Sequence, residues 1–136
     1  MSFRASGVLA VIGGLAWLTK VWLIWMNGGT GTTSGVVGLL FTAGAVCIAV
    51  AGGLTAWRLA AGTSPWRRMV ALIAACVALL ALVDLPILVG WWILGPVWIA
   101  EELGILLTSL LAVVAGTYWI VRGPRGRGAV VRTVHG

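Results

Sequence analysis

Acidic residues are scarce in this chain. Only three residues in 136 carry a carboxylate side chain, Asp84, Glu101 and Glu102, and only one lysine, Lys20, accompanies eight arginines. With 9% charged residues against about 25% in ordinary soluble domains, a water-facing globular surface is excluded. Cysteine is almost absent too. Cys47 and Cys76 stand alone inside separate apolar runs, with no C-x-x-C spacing to suggest redox or zinc chemistry. Buried free thiols are expected, because cysteine behaves as a small hydrophobe. The single histidine, His135, lies near the C-terminus, so no apolar segment offers an imidazole to a haem, a metal or a nucleophile. No polar stretch is long enough to build a soluble domain.

What is abundant is apolar length. The chain is 61% hydrophobic with a mean hydropathy of +1.11, and it contains four runs of the length that crosses a bilayer. The expected architecture is an all-α integral membrane four-helix bundle made of two antiparallel helical hairpins. Its helices are expected at about 8–26, 35–57, 66–89 and 96–121, forming one transmembrane domain over residues 1–121. A basic Gly/Arg-rich tail is expected over 122–136. The first run exceeds the 7–15 residues of a signal-peptide core and no A-x-A site follows it, so it reads as a retained helix. The Gly-rich run at 28–31 lacks the Gly-Lys-Ser/Thr ending of a phosphate loop.

Basic charge sets the expected orientation. Arg4, the loop at 58–68 and the tail hold all the arginines, and the other two loops hold no charge. The positive-inside rule places both termini in the cytoplasm (N-in/C-in), for instance in a bacterial cytoplasmic membrane. Trp22, Trp25, Trp91, Trp92 and Trp98 then form an outer aromatic belt, and Trp57, Trp66 and Trp119 an inner one. The arginine-rich tail reads as a topology determinant beside anionic headgroups, with no nucleic acid expected.

Within the first run, Ser6, Gly13, Trp17, Lys20, Ile24 and Asn27 recur at steps of three, four and seven, which puts them on one inward face. The second run carries a small-residue stripe, Gly38, Thr42, Ala45, Ala49, Gly52, Gly53 and Ala56, of the kind that lets helices approach closely in lipid. Pro86 near the end of the third run removes a bond to the Leu82 carbonyl and is expected to kink that helix. In the fourth run Glu101 shares a face with Gly104 and Thr108, and Glu102 with Ser109 and Gly116. Leu103, Leu107, Leu110 and Val114 take the lipid side.

Lys20, Asp84, Glu101 and Glu102 all fall about 7–9 Å below the outer boundary at 1.5 Å per residue. An isolated charge there costs about 2.5–3.5 kcal/mol, so the four are expected to form one polar cluster supported by Asn27, Thr108 and Ser109. One lysine compensates one carboxylate. The others are expected to be protonated, to share a proton, or to face water or a partner.

In size and span number the chain resembles small multidrug exporters, fluoride channels and lipid-carrier flippases. The exporters' glutamate in the middle of the first helix is replaced by Lys20, so no residue role carries over. The leading functional expectation is an accessory or structural subunit of a larger membrane assembly or a homo-oligomer. The alternatives are a small dimeric proton-coupled transporter using Glu101, Glu102 or Asp84, or an anionic-lipid-binding protein gripping a headgroup at Lys20. Expected partners are membrane lipids and a protein met through the transmembrane helices. No cofactor, metal or enzymatic activity is expected, because the carboxylates and lysine come with no activated nucleophile or ligand set.

Overall fold

A computed structural model describes residues 3–29 and 35–122. Over these residues the chain is all-helical: α1 (Phe3–Met26), α2 (Gly35–Leu59), α3 (Pro65–Leu94) and α4 (Trp98–Arg122). All four helices are long and apolar enough to cross a membrane. The tail expected beyond Arg122 and most of the first loop, residues 30–34, lie outside the described residues.

Helix boundaries follow where the backbone finds a partner or loses one. α1 begins five residues earlier than expected because its first turn is held by contacts: Phe3 stacks on Trp119 with ring centroids 4.9 Å apart. α3 runs through Pro86 and past Gly90 to Leu94. Gly90, expected to open the connection, is a packing glycine, since a Cβ there would stand 3.2 Å from the Ala100 Cα. The helix ends instead at Gly95, whose φ of +77° only glycine adopts readily and whose N–H caps the Trp91 carbonyl. Pro96 sits in the turn that follows rather than at the first helical position, because Val97 N–H bonds back to Gly95 and α4 starts at Trp98. Ser64 and Pro65 do begin α3 as their types suggest, although the Ser64 side chain makes no capping bond.

Packing is centred on α1, which lies against α2 on one side and α4 on the other, while α3 rests on α4 and, more sparsely, on α2. Glycines allow the close approaches. Gly7 opposes Gly116, where a Cβ on either would come within 2.6 Å of the other's carbonyl oxygen, and Gly14 opposes Ser109 and Val113. Gly104 brings α4 against the Val83 carbonyl of α3. Numbers rise along α1 as they fall along α4, so the two run in opposite senses. The core is narrow: Trp17, Ile48 and Ile105 are buried, with Val21, Ala45, Leu79, Val83 and Ala112 packed around them.

The small-residue stripe of α2 does not make the tight seam expected of it. Gly38, Ala49 and Gly52 are exposed, and Ala45 and Gly53 are half-buried. The seam is Gly44, Ile48 and Ala51 instead. Small residues cover more than one side of α2, so the choice of side falls to the bulk of the neighbour. Gly44 provides the hole that the Trp17 indole fills, and any Cβ at Gly44 would collide with that ring. The later part of the stripe, Ala49, Gly52, Gly53 and Ala56, borders an open groove of about 530 Å³ lined by all four helices.

Two substitutions separate these seams. Gly116→Val should destabilise the protein by about 1–3 kcal/mol through overpacking against Gly7, read as a lower midpoint of thermal unfolding in detergent. Gly52→Val, with no heavy atom within 4 Å of its Cβ, should leave the midpoint within about a degree of wild type.

Candidate functional site

The inward face of α1 is where its spacing puts it. Ser6, Gly13, Trp17, Lys20 and Ile24 are all buried. Asn27, the last of the series, is exposed beyond the helix end, and its Nδ2 donates to the Leu23 carbonyl one turn back. Trp17 has its Nε1–H donating to the Phe41 carbonyl at 2.8 Å, and its ring stacks on Phe41 with centroids 5.8 Å apart. Towards the chain termini Ser6 Oγ donates to the Ala51 carbonyl and lies 2.6 Å from Thr55 Oγ1, tying α1 to α2.

Lys20 meets one acid. Its ammonium donates to both carboxylate oxygens of Glu102, at 2.7 Å each, with side chains only 10% and 15% exposed. The ammonium also lies 5.3 Å from the centroid of Phe41, a cation–π contact that joins α2 to the pair. Trp17 is the aromatic residue that the spacing places on the same face as Lys20. Phe41 takes the cation because Trp17 turns its ring onto Gly44, and no spacing rule marked Phe41 out.

Asp84 and Glu101 are not in this cluster. Both are exposed on the flanks of α3 and α4 and make no hydrogen bond or ion pair among the described residues. Their depth nevertheless agrees with that of the pair. Val83 packs on Gly104, two residues from Glu102, so Asp84 lies within about 3 Å of the pair along the helix axis. Glu101 points away because adjacent helical residues diverge by about 100°, and Glu102 takes the α1 side.

Of the α4 polar face, Gly104, Thr108, Ser109 and Gly116 are buried, whereas Glu101, expected beside Gly104 and Thr108, is exposed. Thr108 and Ser109 are almost fully enclosed; Ser109 Oγ donates to the Ile105 carbonyl, and Thr108 Oγ1 has no partner among the described residues. Neither touches the Lys20–Glu102 pair through a hydrogen bond. Pro86 lies inside α3 four residues after Leu82, whose carbonyl therefore has no regular helical donor. Cys47 is half-buried and Cys76 exposed, both free. Among the described residues no three of His, Cys, Asp and Glu come together as metal ligands would.

Chemically, the arrangement holds one desolvated ion pair and leaves two carboxyls facing outward. Four apolar helices around such a pair fit a small helical membrane protein. No protein-family model, no curated protein and no solved structure matches the chain.

Double-mutant analysis tests the pair. Lys20→Met and Glu102→Leu should each destabilise by about 3 kcal/mol, the cost of one uncompensated charge in a span. The double variant should be less destabilised than either single one, because no lone charge remains. Additive losses, measured by unfolding in detergent, would show that the two side chains do not depend on each other.

Proposed function

We propose that this chain is an accessory subunit of a larger membrane assembly, inserted N-in/C-in as two antiparallel hairpins, with Lys20–Glu102 clasping its own helices and α3 docking on a partner. The observation that carries this reading is Asp84. It stands on the exposed side of α3, at the depth of a buried ion pair, where a bare carboxylate costs about 2.5–3.5 kcal/mol. The rest of α3 supports it: of thirty residues, only Gly90 is buried. A helix that buries so little against its own chain leaves most of its surface for lipid or another protein.

The charge inventory favours a different protein over a second copy. The chain has one intramembrane cation, and Glu102 holds both its reach and its charge. The eight arginines lie at Arg4 in the first turn of α1, at Arg58 in the last turn of α2, at Arg67 and Arg68 in the first turn of α3 and from Arg122 onward, at the ends of the apolar segments. A copy therefore has no cation to set against Asp84 at that depth. The occupant that fits is a transmembrane helix carrying lysine, arginine or a hydrogen-bond donor. On this reading the protein is not an enzyme and works in the cytoplasmic membrane of a bacterium.

A proton-coupled transporter is the competing reading, and the geometry favours it less. The groove beside α2 has no acid in its lining, and Glu102, the half-buried one of the three acids, is engaged by Lys20. Mild solubilisation of native membranes followed by sizing decides between them. The wild-type chain of 14.1 kDa should elute with a second protein in a much larger particle, and Asp84→Leu should elute without it while remaining folded. A wild-type chain that elutes with no other protein contradicts the subunit reading.

A further inference from the structure

A second groove, of about 690 Å³, runs between α1 and α4 at the end of the bundle nearest the Gly95 turn. Three tryptophans form its upper wall: Trp22 and Trp25 from α1 and Trp98 from α4. Glu102 lies one helical turn below Trp98 on the same face of α4, and Leu103 and Leu106 continue the apolar floor. The rings are held in place. Trp22 and Trp25 pack on each other with centroids 5.1 Å apart, and Trp98 lies directly over Gly29, where any Cβ would collide with the indole.

One charged side chain, Glu102, lines this groove. Glu102 borders it, whereas Lys20 approaches the same carboxylate from the buried side and is not part of the wall. A carboxylate offers about four lone-pair positions, and the lysine ammonium occupies one on each oxygen. The layer as a whole sets one lysine against three acids, so further positive charge is favoured there over negative. Indole faces add to this, since tryptophan is the strongest of the aromatic residues in attracting cations and sets of aromatic rings recognise quaternary ammonium groups.

We infer that the Trp22–Trp25–Trp98 groove with Glu102 at its base is a binding site for an ammonium group carried on an apolar chain. The cation sits among the indole faces and against the outward lone pairs of Glu102, and the chain runs along Leu103 and Leu106. This site uses no residue of the α3 docking face and stands whether or not the chain has a protein partner.

The test is a titration of the protein in maltoside micelles, followed through the indole ¹⁵N–¹H signals of its nine tryptophans. Dodecyltrimethylammonium is the probe and uncharged 1-dodecanol its control. Saturable shifts are expected at Trp22, Trp25 and Trp98 with the cation, and none at the fully exposed Trp92. Trp98→Leu should bind the cation roughly tenfold more weakly, and Trp92→Leu as wild type does. The Lys20→Met/Glu102→Leu double variant, which loses the carboxylate without leaving a lone charge, should bind cation and alcohol alike. Equal binding of dodecanol and dodecyltrimethylammonium by the wild type would overturn the inference, as would unchanged affinity in Trp98→Leu. In nanodiscs, displacement of the probe by phosphatidylcholine but not phosphatidylglycerol identifies a lipid headgroup as the natural source of the cation. Retention of the probe in both identifies a free amphiphile.

Discussion

One ion pair organises this protein. Lys20 on α1 and Glu102 on α4 are 82 residues apart, and each is costly in a hydrocarbon environment until it finds the other. With both carboxylate oxygens at 2.7 Å from one ammonium, their separation fixes the register of α1 on α4 more narrowly than apolar packing does. In lipid the hydrophobic effect does not choose between neighbouring helices, so polar contacts and close backbone approach must. Both operate on this seam: the ion pair at one end, and Gly7 against Gly116 with Gly14 against Ser109 towards the other. Phe41 extends the constraint to α2 by lying beside the same ammonium and accepting the Trp17 indole N–H.

α3 stands outside this arrangement. It meets α4 at Val83 and Gly90 through glycine-sized gaps, and leaves an open groove along α2 where Ala49, Gly52 and Gly53 contribute almost no bulk. Asp84 rides on its outer side. An internally satisfied pair and an externally directed acid at the same depth divide the polar chemistry in two. One half holds the helices together, and the other is proposed to hold the chain to something else.

The sequence made depth legible but not azimuth. Residue counts from the helix ends bring Lys20, Asp84, Glu101 and Glu102 to one layer, and of the four only Lys20 and Glu102 form an ion pair among the described residues. Which way each one points depends on how α3 is rotated about its axis, and a helix that is apolar all round carries no signal for that. α1 was different: Ser6, Gly13, Trp17 and Lys20 interrupt its apolar surface on one side only, and that side is buried. α2 carries small residues on more than one face, and only the room that the Trp17 indole needs singles out Gly44. At Gly90 the glycine signalled close packing rather than a turn, a distinction that sequence type does not make. Phe41 had no pattern to mark it, since its role comes from the path of a neighbouring lysine.

Because Lys20 is the only lysine, ¹⁵N-lysine labels a single side chain, and in a Glu101→Gln background ¹³Cδ-glutamate labels Glu102 alone. Magic-angle-spinning NMR of that sample in bilayers measures the Nζ–Cδ dipolar coupling directly. The strong coupling of a two-oxygen ion pair is expected. A Lys20 ammonium with no measurable coupling to Glu102 would contradict it.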